Sequence, residues 1–269
     1  MNSLTTLVCV PLFAAFSVLP AQETAKAQDS KKPQKIEDTE HTKKDAAIKA
    51  LDKFIKKQTI DRKTATWKAR LTAPPKQEFD SKCDYLWHVE TSAGNLTIRY
   101  FPETAPMHVT SGIYLARLGY YDGLKFHRII PRFMAQGGCP FGRGNGGPGY
   151  FMDGEFEGNL KHDRPGLLSM ANTGRPRSDG GQFFLTFVPT PHLNGKHTIW
   201  GEVIEGMDTV KALEKLGTRG GKVAKPPTMV RTWIEVKPKK ADKDAAHDGD
   251  ASHGEEHGGE KKAENGGGL

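Results

Sequence analysis

The sequence of 269 residues predicts a single mainly β domain with two α-helices, flanked by charged segments. Between residues 84 and 237, short runs of β-branched and aromatic residues recur, some in alternation with polar residues, which is typical of strands. Glycine and proline clusters separate these runs, and helical signals occur at two places. The polar ends give a mean hydropathy of −0.59. A core region of about 155 residues is long enough to fold alone.

The first two strands are predicted as a hairpin. Residues 86–91 and 96–101 flank the turn Ser92-Ala93-Gly94-Asn95. Because strand side chains alternate between the faces of a sheet, every second residue of the second run is expected to face the core. These residues are Leu96, Ile98 and Tyr100.

Two helices are predicted, one after the hairpin and one near the end of the domain. The first begins at Pro106, a residue favoured at the first helical position, and ends at Gly119. The second spans about residues 207–216. The inward-facing residues of the first helix are Val109, Ile113 and Ala116.

The central strand is predicted at residues 126–130 and carries a cation. Because strand faces alternate, His127 is expected to point away from the side that Phe126 and Arg128 share. An arginine in an otherwise apolar strand is costly unless it is paired or functional, so Arg128 is a candidate functional residue. Further strands are predicted at 133–136, 167–171, 182–187, 198–204 and 229–236.

Glycines at positions 142, 144 and 147 formally match a dinucleotide-binding fingerprint. That fingerprint must end a strand and begin a helix, whereas here Pro148-Gly149-Tyr150 follows and no helix begins. The glycines therefore predict a surface loop with positive φ values, and no cofactor is expected.

Residues 1–27 are similar to a secretory signal peptide. The apolar run is short for a membrane span, and Ala25-Lys26-Ala27 is a small-x-small cleavage site. An uncleaved anchor is the alternative, since no Lys or Arg precedes the run. We expect an exported protein, periplasmic or secreted, with no stable membrane insertion after the signal is removed.

Residues 28–83 are predicted as a charged linker that contains an amphipathic helix. A capping box at 42–45 is expected to begin this helix, which continues to Lys57. The helix either packs against the domain or docks a partner, and packing is the commoner outcome. The segment is basic but lacks interleaved aromatic residues, so nucleic-acid binding is not predicted. The apolar face comprises Ile48, Leu51 and Ile55.

The C-terminal segment, residues 238–269, is rich in glycine, histidine and acidic residues and is predicted to be disordered. Its histidines, His247, His253 and His257, are irregularly spaced, so no specific metal site is predicted.

Cysteines are too few for a disulfide scaffold, and their spacing does not match a zinc site. A disulfide between Cys83 and Cys139 in an oxidising compartment stays open, because the sequence does not show whether the two residues lie close together.

Six segments occur together in one order and spacing: FHRIIP (126–131), FMAQGG (133–138), GGPGY (146–150), GLLSMAN (166–172), QFF (182–184) and LNGKH (193–197). In this register the region from about residue 84 to 237 resembles the cyclophilins, a family of peptidyl-prolyl cis-trans isomerases. The resemblance implies a closed antiparallel eight-stranded β-barrel capped by two α-helices. It also implies an enzyme that needs neither cofactor nor metal.

The resemblance implies that Arg128 is the catalytic residue, a permanently charged donor aimed at the prolyl nitrogen. It implies a pocket for the proline ring, with His197 at one side, formed by Phe133, Met134, Phe184 and Leu193. The residues that hold the substrate backbone would be Gln136 and Asn172. The residues that line the groove toward the residue before proline would be Ala171, Thr173 and Gln182.

Single residues of this set have ordinary structural interpretations. From spacing alone, the apolar pocket residues fit a core better, and Arg128 fits an ion pair equally well. His127 is interpreted as a structural strand histidine rather than a base. Only the joint occurrence of these residues in one register favours a site.

The sequence departs from the family pattern at two places. His192 stands where many cyclophilins have a tryptophan associated with cyclosporin binding, so that binding is not predicted. The loop 173–181 carries Arg175 and Arg177 where the common form is neutral, which favours acidic substrates.

The predicted function is isomerisation of X–Pro bonds in exported protein clients, which assists their folding. The expected partners are proline-containing polypeptides, and the protein is expected to be a monomer. The alternative is a non-catalytic module that binds proline peptides or acts as a holdase chaperone.

Overall fold

The computed structural model describes residues 37–239. The predicted signal peptide, the start of the predicted linker and the histidine-containing tail therefore lie outside the described residues. The α-helices in the described part are α1 (Glu40–Lys44), α2 (Ala46–Lys56), α3 (Pro106–Arg117) and α4 (Met207–Lys215). Short 3-10 helices span Trp67–Ala69 and Pro191–Leu193. The strands are β1 (Cys83–Thr91), β2 (Gly94–Tyr100), β3 (Arg128–Ile130), β4 (Met134–Gly137), β5 (Leu167–Met170), β6 (Phe183–Thr186), β7 (Ile199–Glu205) and β8 (Met229–Pro238).

All eight strands belong to one antiparallel sheet in the order β3-β4-β6-β5-β7-β2-β1-β8. The mainly β fold is thus confirmed, but the predicted closed barrel is not, because no hydrogen-bonded ladder joins β3 to β8 within residues 37–239. Single contacts link this region instead, such as the Phe126 N–H donating to the Pro227 carbonyl at 2.9 Å. The strand β3 is short, and Pro226 and Pro227 before β8 have no N–H to donate.

The predicted hairpin and first helix are both present. Strands β1 and β2 pair from Leu86 opposite Arg99 to Thr91 opposite Gly94, and the alternating apolar residues of β2 are buried. Helix α3 has Pro106 as its first residue, and its inward face is buried as predicted. The chain leaves this helix through Gly119 at a φ of +69°.

The core is organised around fully buried aromatic rings. The ring centroids of Trp87 on β1 and Phe183 on β6 are 5.2 Å apart. Tyr100 of β2 stacks on Trp200 of β7 with 5.1 Å between ring centroids. Burying a large aromatic side chain contributes about 1.5–3 kcal/mol to the free energy of unfolding. These rings therefore join β1 to β6 and β2 to β7, and β6 also carries Phe184 of the site described below.

Residues 37–82, which we call the N-terminal arm, begin with two helices rather than one. The Asp45 side chain accepts the Ile48 N–H at 2.9 Å and caps α2, whereas Thr39 caps α1. The capping box predicted at residues 42–45 is therefore wrong, because Asp45 has an extended ψ of 136° that separates the two helices. Thr42 is buried instead, and its Oγ1 accepts the Val236 N–H of β8 at 2.9 Å.

Helix α2 packs against the domain, which was one of the two predicted alternatives. Ile48 and Leu51 are 1% and 0% exposed and belong to the main core. Arg117 of α3 forms ion pairs with Asp52 of α2 at 2.6 Å and with Asp38 at 2.9 Å.

None of the helices between residues 37 and 239 combines the length and apolar content that a membrane span requires.

Cys83 and Cys139 are both free thiols, so the disulfide left open by the sequence is not formed. Cys139 is fully buried, and its Sγ accepts the Gly144 N–H at 3.2 Å. Cys83 is only partly buried and lies beside Asp80 at the start of β1. The two sulfur atoms thus have separate surroundings.

Candidate active site

The β3–β4 hairpin places Arg128 directly opposite Gln136 and Ile130 opposite Met134. A short turn through Arg132, at a φ of +59°, joins the two strands. The Phe133 N–H closes this turn by donating to the Ile130 carbonyl at 3.1 Å. The predicted catalytic arginine and two predicted binding residues therefore come from one local hairpin.

The Arg128 guanidinium is exposed, with Nη1 3.5 Å from Gln136 Oε1 and 3.9 Å from Met134 Sδ. Within residues 37–239 it has no carboxylate partner, so a structural ion pair does not explain it. The expectation that Arg128 and Phe126 share a face is wrong. Phe126 precedes the strand, which begins at Arg128, and it is fully buried in the main core.

The apolar residues predicted to hold a proline ring form a cluster separate from the main core. Met134, Phe184 and Leu193 are its buried members, and Phe133 and Ala171 pack against it. Such a small apolar cluster beside an exposed cation matches the general form of a binding pocket. Another side chain of this cluster, Ile130, was not predicted. Ile130 could have been found from the sequence, because residues two apart on a strand share a face and Ile130 follows Arg128 by two positions on β3.

His197 stands at the side of this cluster. Its ring lies edge-on to Phe184 with 5.5 Å between centroids. Its Nδ1 is 2.8 Å from the Met170 carbonyl, and because a carbonyl only accepts, Nδ1 carries the proton and donates it. His192 is exposed at the rim, with its ring centroid 5.7 Å from that of Phe133.

A glutamine pair connects β4 to the glycine-rich loop. Gln136 Nε2 donates to Gln182 Oε1 at 3.0 Å, and Gln182 Nε2 donates to the carbonyls of Gly144 at 2.9 Å and Gly146 at 2.7 Å. No helix follows these glycines, so the predicted loop is confirmed; its φ is positive at Gly142 (+63°) and Gly144 (+82°) but not at Gly147. A cavity of about 220 Å³ lies beside the pair. Its walls include the predicted residues Gln136, Ala171, Asn172, Thr173 and Gln182, and also Phe151, which no sequence signal indicated.

Asn172 is present at this cavity, but its side chain is already engaged. Nδ2 donates to the Lys196 carbonyl at 2.9 Å, and Oδ1 accepts the Gly174 N–H at 3.1 Å. A peptide contact from Asn172 would therefore use its main-chain groups rather than the side-chain amide.

His127 lies under the glycine-rich loop and away from the cavity. A Cβ added at Gly144 would stand 3.3 Å from its Nε2. Burial lowers the pKa of His127, and the charge of Arg128 adds to this effect, so the ring is neutral near pH 7. These observations agree with a structural role, but His127 precedes β3 and is therefore not a strand residue as predicted.

The family model described as "Cyclophilin type peptidyl-prolyl cis-trans isomerase/CLD" matches residues 86–234. The chain is 44% identical over 156 residues to a peptidyl-prolyl cis-trans isomerase-like 2 of Cryptococcus neoformans, covering 56% of this chain and 27% of that protein. It thus spans about a quarter of the length of that relative. It is 50% identical over 111 residues to peptidyl-prolyl cis-trans isomerase B of Bacillus subtilis, covering 41% of this chain and 77% of that protein.

A crystal structure of a cyclophilin-type peptidyl-prolyl cis-trans isomerase from Cryptosporidium parvum is similar to this fold. The TM-score is 0.55 at 34% identity, with 58% of this chain and 99% of that chain covered. A crystal structure of the same Cryptosporidium protein in the presence of the dipeptide Ala-Pro gives a TM-score of 0.53 at 34% identity, with 55% of this chain and 98% of that chain covered. The matched region covers more than half of this chain and contains every predicted site residue, so the chain belongs to the family of cyclophilin-type peptidyl-prolyl cis-trans isomerases.

Proposed function

We propose that this protein accelerates cis-trans isomerisation of X–Pro bonds in polypeptides, with Arg128 as the catalytic residue. The observation that carries the proposal is the exposed guanidinium of Arg128, which has no carboxylate partner within residues 37–239, beside the separate apolar cluster of Met134, Phe184 and Leu193. The Cryptosporidium structure in the presence of Ala-Pro supports a proline-containing ligand for this kind of site.

The chemistry needs little more than these groups. Rotation about the peptide bond meets a barrier of ~18–20 kcal/mol because C–N resonance is lost in the twisted state. The prolyl nitrogen then gains lone-pair character, so a fixed cationic donor binds the twisted state better than either planar state and lowers the barrier. No proton transfer or covalent intermediate is required.

Each part of the site has a role in this scheme. The apolar cluster and Phe133 hold the proline ring, and His197 limits the pocket through its contact with Phe184. Gln136 keeps Arg128 directed over the pocket, since its Oε1 is 3.5 Å from the guanidinium. The cavity bounded by Gln182 receives the residues before the proline.

The test is the cis-to-trans rate of an Ala-Pro peptide with the intact protein and two variants. Arg128→Ala is expected to lower kcat/KM on the order of 100-fold, if the positioned donor contributes ~3 kcal/mol. Arg219→Ala removes an exposed cation outside the pocket and is the matched control, with an expected change below about twofold.

Two outcomes would overturn parts of the proposal. Turnover unchanged in Arg128→Ala would remove the assigned mechanism. A folded wild-type protein without turnover would favour a module that binds proline peptides without catalysis.

We further propose that the clients are exported polypeptides whose folding this activity assists. The apolar run and the small-x-small site within residues 1–27 support export. Mass spectrometry of protein recovered outside the cytoplasm is expected to show removal of about 27 N-terminal residues. Full-length protein confined to the membrane fraction would favour an anchor instead.

A further inference from the structure

A second groove lies next to the proposed proline pocket. It has a volume of about 660 Å³ and is lined by Asp153, Gly154 and Phe156 and by residues 174–177 and 195–197, together with Asn172 and Asp179. Asn172 and His197 line both this groove and the candidate active site or its rim, so the two are continuous. We call it the basic groove.

The groove presents three exposed cations. Arg175, Arg177 and Lys196 are exposed, and none of them forms an ion pair within residues 37–239. Asp153 is the exposed carboxylate of the lining, and Asp179 is buried and bonded elsewhere. The groove therefore carries a positive excess on a concave surface, which raises the local concentration of anionic groups.

Hydrogen bonds on the buried side of the groove join its two walls, which are the segment near Glu155 and the loop that ends at Asp179. Met152 and Asp179 exchange backbone hydrogen bonds at 2.7 and 3.3 Å. The Asp179 carboxylate accepts from Thr198 Oγ1 at 3.2 Å and faces His108 Nε2 at 2.8 Å, while His108 Nδ1 is 2.6 Å from Glu155 Oε2. One fully buried imidazole thus links the segment that holds Glu155 to the loop that holds the arginines.

The turn that presents the arginines is also fixed. Arg177 has a φ of +54°, which is uncommon for a residue other than glycine. Ser178 Oγ donates to the Arg175 carbonyl at 2.7 Å and accepts the Thr173 N–H at 3.3 Å. A groove whose walls are fixed before binding loses less entropy when a ligand enters.

We propose that the basic groove is a subsite for an acidic side chain, Asp or Glu, in the same polypeptide whose proline occupies the neighbouring pocket. Guanidinium groups suit carboxylates because their donors form a planar fork that binds both oxygens. The exposed ring of Phe156 gives the groove an apolar surface for the methylene groups of the same side chain. This proposal rests on the proposed isomerase function and specifies its substrates.

The test uses the full chain and peptides with one Ala-Pro bond. Glu, Gln or Ala is placed singly at each of three positions before and after this dipeptide, and kcat/KM is measured for each. At one position or more, Glu is expected to exceed Gln about fivefold at low salt, since exposed ion pairs are individually weak. This ratio is expected to fall toward one at about 0.5 M salt, where charges more than a few ångströms apart are screened.

Variants locate the effect. In the double variant Arg175→Ser with Arg177→Gly, the Glu-to-Gln ratio is expected to approach one; glycine also suits the positive φ at position 177. The control Arg219→Ala removes a cation outside the groove and is expected to keep the wild-type ratio.

The outcomes separate the two proposals. If wild-type protein turns over the all-Ala peptide but the Glu-to-Gln ratio is one at every position, the subsite is overturned and the isomerase stands. If the ratio falls equally in Arg219→Ala, the preference reflects net charge and not this groove, which also overturns the subsite. If no peptide is turned over, the isomerase function itself fails.

Discussion

The Leu71 N–H donates a hydrogen bond to the Pro148 carbonyl at 2.7 Å and joins the N-terminal arm to the glycine-rich loop. Pro148 in turn packs against the residues before Gln182, since a Cβ added at Gly181 would lie 3.3 Å from Pro148 Cδ. Gln182 is the side chain that holds the loop to β4. The arm, which precedes the family-matched region, thus supports one wall of the candidate active site.

Gly149→Ala is expected to break this support. Gly149 has a φ of +106°, and a Cβ there would stand 2.9 Å from both the backbone N and O of Leu71. We expect a loss of about 2 kcal/mol in the free energy of unfolding and faster hydrogen exchange at the Leu71 amide. Gly147→Ala is the control, because it has open space and no positive φ, and it should change stability by less than about 0.5 kcal/mol. Equal effects of the two changes would contradict the prediction.

Leu51→Ala tests whether the arm is part of the core. Leu51 is fully buried in the main cluster, so its truncation should cost about 3 kcal/mol in the urea unfolding free energy. Lys53→Ala changes an exposed residue two positions away in the same helix and should have little effect. An arm that packs only loosely would give a small and similar effect for both variants.

Gln182→Glu tests the connection between β4 and the loop. The glutamine and glutamate side chains have nearly identical shapes, but a carboxylate cannot donate hydrogen bonds to the carbonyls of Gly144 and Gly146. We expect kcat/KM for an Ala-Pro peptide to fall about tenfold, because two carbonyls lose their donor and face a negative charge. Gln77→Glu, the same change in the arm, should leave kcat/KM within about twofold. Unchanged turnover in Gln182→Glu would mean that this amide does not position the site.

The buried His108 predicts a pH dependence of stability. Burial alone lowers the pKa of His108, but hydrogen bonds to Asp179 and Glu155 and their charges outweigh it, so the pKa is raised above its usual 6.5. A raised folded-state pKa gives stabilisation that is fully present below about pH 6.5 and is lost as pH rises through the folded-state value. The urea midpoint should therefore decline from pH 6 toward alkaline pH.

The variant His108→Gln should lack this decline and should be less stable than the wild type mainly at pH 6. Direct titration of the His108 ring in the wild type provides a second measurement that does not depend on the variant folding. A ring that titrates below pH 6.5 would contradict the assignment.

Local patterns predicted the elements whose signals lie within one segment. Helix α3 follows from Pro106, an apolar face and Gly119, and the β1–β2 hairpin follows from alternation around one turn. The predicted start of α2 was wrong because Thr39, Thr42 and Asp45 are all residue types that favour the N-cap position. Their spacing along the sequence does not show which of them caps a helix.

Contacts between distant residues had no such signal. The bond between Gln136 and Gln182 joins residues 46 apart, and that between His108 and Asp179 joins residues 71 apart. The pocket residues were grouped only through the resemblance to the cyclophilins. The alternation of strand faces gave a wrong orientation for Phe126, because β3 begins only at Arg128. The sequence also did not show whether the sheet closes, because closure requires hydrogen bonds between the short strand β3 and the chain near the prolines before β8.

The family model matches from residue 86 onward, whereas the hydrophobic core already includes Ile48. The matched region is therefore smaller than the folding unit of this chain. A protein begun at residue 86 would lack the ring of Phe54, whose centroid lies 5.6 Å from that of Tyr114, and would lose both carboxylates that pair with Arg117. Such a shortened chain would expose an apolar surface prone to self-association, so the solubility of this protein depends on residues that precede the matched region.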